Sequence, residues 1–169
     1  TFSRASLSRM LPFIDAYSID LKGDESFYGR YSKGSAKPVI ASLEALAKTS
    51  ATVEVTTLLI EGEHTLSDVK ELGTMLQSLG IRVWHLSRYH PAYKLDHPAT
   101  SESFLQEALA VAKELKIPHV YGGNSRQDQD TYCPECSALL IKRFPHHVKT
   151  FLQAGKCTCS HQLYGDMGS

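Results

Sequence analysis

The stretch TVEVTTLLI at 52–60 is β-branched and apolar on both alternating faces, the pattern of a parallel strand covered above and below. Three shorter runs share that character: AYSIDLK at 16–22, IRVWHLS at 81–87 and a last strand at about 118–122. Between them the apolar period changes to that of helices. Residues 3–14 carry Leu7, Met10, Leu11 and Ile14 at helical spacing, with Pro12 set to disturb the last turn. Pro38 is placed to begin a helix in which Ile40, Leu43 and Leu46 share a face. Thr65 or Ser67 caps a third, with Val69, Leu72, Leu76 and Leu79 in one stripe before Gly80 ends it. Thr100, followed by Glu102 and Ser103, opens a fourth carrying Leu105, Ala108, Ala112 and Leu115. The segment holding Tyr28, Tyr31 and Gly34 reads as a loop. The repeated unit is strand, helix, strand. Four parallel strands so connected make half of a barrel-like sheet or a small open doubly wound one.

A chain of 169 residues, 42% hydrophobic, has room for one ordinary core and not for two large domains. Its 18 basic and 18 acidic residues cancel, so no charge asymmetry points to nucleic acid. The apolar runs fall far below the ~20 residues of a membrane span, and no signal segment opens the chain. A cytoplasmic protein is expected. The first residue is Thr1 rather than methionine, which suggests an internal start.

Functional groups of parallel α/β folds collect at the carboxyl ends of the strands. Polar residues fall there in this chain: Asp20 and Lys22, Glu61 and His64, then His85, Arg88 and His90, then Asn124. Alternation aims His85 opposite Trp84, an expensive place for a titratable ring without a partner. Neither a P-loop, nor G-x-G-x-x-G, nor a G-x-S-x-G elbow occurs.

All four cysteines lie near the end, Cys133 and Cys136 in CPEC, Cys157 and Cys159 in CTC, with His161 two residues on. Two close pairs separated by an insert match the two knuckles of a tetrahedral zinc site. Disulfides, redox chemistry and unligated thiols stay open as alternatives. A secreted, disulfide-stapled scaffold would not leave the whole preceding chain free of cysteine. The CPEC pair lacks a helix behind it, because SALLIKRF reads as a strand. An α/β unit at 1–125 and a cysteine-rich, ribbon-like extension at 126–169 are expected.

IDLKG (19–23), VTTLLIEG (55–62), VWHLSRYHPAYKL (83–95), HVYGGN (119–124) and DTYCPECSALLIKR (130–143) together resemble one family. They are similar to radical S-adenosylmethionine (SAM) enzymes near the pyruvate formate-lyase-activating enzymes, most of all the AmmeMemoRadiSam system enzyme. The resemblance implies a partial (β/α)6 TIM-like barrel, of which residues 1–125 would be the C-terminal half. It implies a [4Fe-4S] cluster and reductive cleavage of SAM to a 5′-deoxyadenosyl radical. Asp20, Lys22 and His85 match family positions that touch SAM. Arg88, His90 and Tyr93 would shape the substrate side, toward a protein such as a glycyl-radical enzyme.

The match has departures. Glu61 and His64 stand where the family usually has proline and asparagine, and Ser137 where a glycine usually follows the second cysteine. The last cysteine pair is C-x-C, which makes His161 a candidate substitute for Cys159. The C-x-x-x-C-x-x-C triad that ligates the cluster is absent from the sequence. These residues would therefore be inactive without a cluster-binding half. The sheet's open edge would be covered by that half or by self-association. The alternative is a non-catalytic, zinc-stabilised α/β binding module.

Overall fold

The computed structural model describes residues 3–125 and 129–165. Four strands, β1 (Ala16–Asp20), β2 (Thr52–Leu59), β3 (Val83–Arg88) and β4 (His119–Gly123), form one parallel sheet in the order β1-β2-β3-β4. Helices α3 (Lys37–Leu46), α4 (Leu66–Ser78) and α5 (Glu102–Glu114) make the three crossovers. The strand order runs without a reversal, as in part of a barrel; a doubly wound sheet would change direction at a switch point.

One face of the sheet is the core. Tyr17, Ile19, Val53, Val55, Leu59, Trp84 and Leu86 pack against Val39 and Leu43 of α3, Val69 and Leu76 of α4, and Leu105 and Ala112 of α5. Trp84 is fully buried and its indole N–H donates to the equally buried Thr57 Oγ1 at 3.0 Å. Gly73 of α4 lets the helix approach this ring: a Cβ there would lie 2.8 Å from the indole and 2.4 Å from Leu115. The opposite face of β2 is only half-buried along its length, so this strand is not covered on both sides as its composition suggests.

The expected helix ends hold with local shifts. α1 covers Arg4–Met10 rather than 3–14. Pro12 has no N–H to give the next turn, and its ring would clash with the carbonyl four residues back. Thr65 caps α4 in a capping box with Asp68. At α5 the cap is Ser101, while Thr100 is buried and donates to the Leu59 carbonyl at 2.6 Å. The segment read as a loop holds a short helix α2 (Glu25–Phe27), capped by Asp24, and a π-helical turn at Tyr28–Ser32.

After β4 the chain forms a separate antiparallel sheet, β5 (Thr131–Tyr132), β6 (Leu139–Phe144) and β7 (His147–Thr150), in the order β5-β6-β7. Its small core is Cys133, Leu140, Cys157 and Leu163. No helix among the described residues is long and apolar enough to cross a membrane.

Candidate metal centre and open sheet face

Each cysteine pair sits in a tight turn. The Ser137 N–H donates to the Cys133 carbonyl and the Cys133 N–H to the Ala138 carbonyl, at 2.9 and 2.8 Å. Ser137 has φ +60°, a left-handed conformation that glycine adopts without strain. This explains why a glycine suits that position. In the second turn the Ser160 N–H donates to the Cys157 carbonyl at 2.8 Å and Ser160 has φ +70°. The shortened C-x-C spacing therefore still aims both thiols inward.

The four Sγ atoms lie within 4.8 Å of one another, with Cys133–Cys159 at 3.6 Å and Cys136–Cys157 at 3.5 Å. A zinc tetrahedron with ~2.3 Å bonds has edges of ~3.8 Å, so these separations suit a four-thiolate site. They are too long for disulfides, and all four cysteines are free. The cluster can hold a metal ion. His161 is outside it, since Cys159 occupies the fourth corner; its Nδ1 lies 3.8 Å from the Glu135 carboxylate.

The thiols divide in acidity. The Cys159 N–H pulls the Cys157 thiol down to about 6, helped by neighbouring thiols. At Cys136 the Ala138 N–H pulls down, but the surrounding thiols outweigh it and push the group up to about 12. Like charges crowded together resist joint ionisation. A divalent cation is what would allow all four to be thiolates at once.

The sheet face away from the helices carries the polar residues in rows set by strand register. Asp20, Thr56, His85 and Tyr121 are successive partners across all four strands. Asp20 and His85 therefore share one row on one face, and Lys22 follows beyond the end of β1 with its Nζ 3.1 Å from Asp20. Tyr28 holds this strand end: its hydroxyl accepts from the Lys22 N–H at 3.2 Å and donates to the Asp20 carbonyl at 3.4 Å. Buried His64 adds a second clamp. Its Nδ1 accepts from the Ile60 N–H at 3.0 Å, so Nε2 carries the proton and donates to the Lys22 carbonyl at 2.9 Å. Glu61 instead serves α5, accepting from the Ser101 N–H at 2.7 Å.

Other residues of the expected site are dispersed. Arg88 has the parity of Trp84 and Leu86 and so turns to the helix side, where it pairs with Glu102 and donates to the Thr100 carbonyl. His90 is exposed beside the Asn124 carbonyl, and Tyr93 is 95% exposed. His85 stacks on Tyr121 with centroids 5.2 Å apart, its Nε2 3.4 Å from Glu54. It lines a cavity toward the amino ends of the strands, whereas Asp20 and Lys22 border a groove along β1 with Tyr28 and Val39. Lys22 and His85 thus share a face but not a pocket.

No family model matches the chain. An uncharacterized protein of Methanocaldococcus jannaschii is 35% identical over 144 residues, spanning 80% of this chain and 43% of that protein. The chain thus spans less than half the length of this relative. A domain of pyruvate-formate lyase-activating enzyme from Bacteroides vulgatus superposes with a TM-score of 0.64 at 18% identity, over 72% of this chain and 75% of that one. The likeness is one of fold: an α/β unit with a parallel sheet resembling a partial TIM-like barrel.

Proposed function

We propose that this chain is a zinc-stabilised α/β binding module without catalytic chemistry of its own. The observation that supports it most is the four-thiol cluster, whose donors all lie within 4.8 Å. Cys133, Cys136, Cys157 and Cys159 would hold the ion. A four-thiolate zinc site is closed, leaving no position for substrate, and its contribution is to folding. In this reading residues 1–125 form the α/β unit and 126–169 the metal-held extension. The open sheet face, with Asp20, Lys22 and His85, is the surface that meets a partner or nucleotide. Metal analysis tests the reading: about one zinc and no iron per chain is expected, and a fully folded metal-free chain would refute it.

The fold likeness and the greater length of the relative favour a second reading, in which these residues belong to a longer radical SAM enzyme. Asp20, Lys22 and His85 would then orient SAM, and His90 and Tyr93 would border a substrate such as a glycyl-radical enzyme, while Arg88 braces the start of α5 from the helix side. Bound to a [4Fe-4S] cluster, SAM supplies a 5′-deoxyadenosyl radical, chemistry that belongs to the cofactor. The thiols present cannot ligate that cluster as well, because all four close one site in the ribbon. What these residues contribute is orientation, through the Tyr28 and His64 clamps on Lys22. In the longer polypeptide, reduced with dithionite, Lys22→Ala should cut 5′-deoxyadenosine release sharply; unchanged release would remove Lys22 from the role.

A further inference from the structure

A cavity of about 340 Å3 lies between the sheet and the ribbon. Its floor includes Ala16, Thr52, Val83 and His119, the first residue of each of the four strands, so it is at the end opposite Lys22. Several hydrogen bonds among the described residues seat the ribbon over it, Gln129 Nε2 to the Gly122 carbonyl among them. The Val53 N–H donates to the Tyr164 hydroxyl at 2.8 Å, and the Tyr121 hydroxyl meets Thr131 Oγ1 at 2.7 Å.

The chemistry of the walls is directional. His85, Tyr121 and His119 form a ladder of near-parallel rings, with interplanar angles of 24° and 10°. Arg143 reaches in from β6, its guanidinium 5.4 Å from the Tyr121 ring. Both of its described side-chain hydrogen bonds, to the Gln129 carbonyl and Thr131 Oγ1, come from one nitrogen of a five-donor fork. Glu54 is the carboxylate lining the cavity, its Oε2 3.4 Å from His85 Nε2. His119 is 5% exposed, lines the cavity, and its buried Nε2 has no hydrogen-bond partner. A buried polar atom left in this way calls for a water or ligand group. Burial, then Arg82, His161 and Arg143, push His119 down to about 4. It is neutral at pH 7; burial is the main cause and favours no charge, but the nearby Arg82 and Arg143 charges add a field that suits a negative ligand.

We propose that this cavity is a binding site for a small carboxylate with a flat unsaturated body, the carboxylate on Arg143 and the body against the His85–Tyr121 ladder. Its volume is at the low end of ligand cavities, ~300–1,000 Å3, which fits a small organic acid better than a nucleotide. The site shares only His85 with the two readings above; its anion-binding residue, Arg143, and the buried His119 belong to neither.

Benzoate, benzamidine and benzyl alcohol, which share one ring and differ in charge, are suitable probes on the intact, zinc-loaded chain labelled with 15N. Benzoate should shift the amide resonances of Tyr121, Thr131, Arg143 and Tyr164, and bind at least tenfold more tightly than either other probe. Arg143→Gln should weaken benzoate at least tenfold. Arg143 also braces the ribbon, so Glu54→Gln serves as a second variant and should bind benzoate as well as or better than the wild type. Equal affinity for the three probes, shifts confined to Asp20 and Lys22, or weaker benzoate binding by Glu54→Gln would each overturn the proposal.

Discussion

Replacing Cys159 by serine, in parallel with His161 by alanine, separates a four-cysteine site from a three-cysteine, one-histidine site. Structural zinc contributes ~10–16 kcal/mol of apparent binding free energy at neutral pH. Divided over four thiolates, that is ~2.5–4 kcal/mol each, or roughly two to three orders of magnitude in affinity. Cys159 Sγ is 3.6 Å from Cys133 Sγ, a tetrahedral edge, so Cys159→Ser should lose affinity on that scale. His161 is different. It supports the second turn through its backbone, whose carbonyl accepts from the Cys157 N–H at 2.9 Å and survives the change to alanine. Its ring acts at most as an outer neighbour, so His161→Ala should cost less than the ~10–100-fold typical of outer-shell partners. Competition against a chromophoric chelator reads both affinities, and cobalt substitution reads the number of thiolates from the charge-transfer band. Wild-type affinity for Cys159→Ser, or an equal loss for His161→Ala, would refute the geometry.

Three further outcomes follow from the core and from the histidine under the ribbon. His119 is held at about 4 in the fold against an ordinary 6.5, so the unfolded chain takes up a proton first as pH falls. Stability attributable to it is present above pH 6.5 and is lost on the way down to 4, by about 3 kcal/mol in all. Urea unfolding at several pH values should show that slope in the wild type and a shallower one in His119→Phe; parallel slopes would contradict it. Thr57→Val leaves the Trp84 indole N–H buried without its partner and should cost ~1–3 kcal/mol, recovered in part when Trp84→Phe is added. Gly73→Ala gains ~1 kcal/mol of helix propensity but drives a methyl to within 2.4 Å of Leu115. The resulting overpacking costs ~1–3 kcal/mol, so a net destabilisation should appear in the melting temperature.

Much of the sheet was legible because alternation is a local property. The parity of Trp84 and His85 already assigns one to the core and the other to the open face, and register then aligns His85 with Asp20. The same parity assigns Arg88 to the helix side, a signal masked by ending the expected strand at Ser87, one residue short of the observed end. How far along a strand a residue sits, and what covers it, was not legible. The cover over His85 comes from Arg143 and Tyr164, well over fifty residues later in the chain. Residues 24–32 were hidden for another reason: Asp24 capping Phe27 and a π-helical turn produce no apolar period to detect. The cysteine spacing pointed to a metal, but the fourth ligand depended on the backbone at Ser160, whose left-handed conformation carries no reliable mark in the sequence.

Amide hydrogen exchange on the chain with and without a zinc chelator shows whether a metal held by four thiols keeps the ribbon folded against the sheet. Chelation should remove protection throughout β5, β6 and β7 and at Val53, whose N–H bonds Tyr164, while Val55 and Leu86 stay protected. Unaltered protection of the ribbon after the metal is gone would contradict that role of the metal.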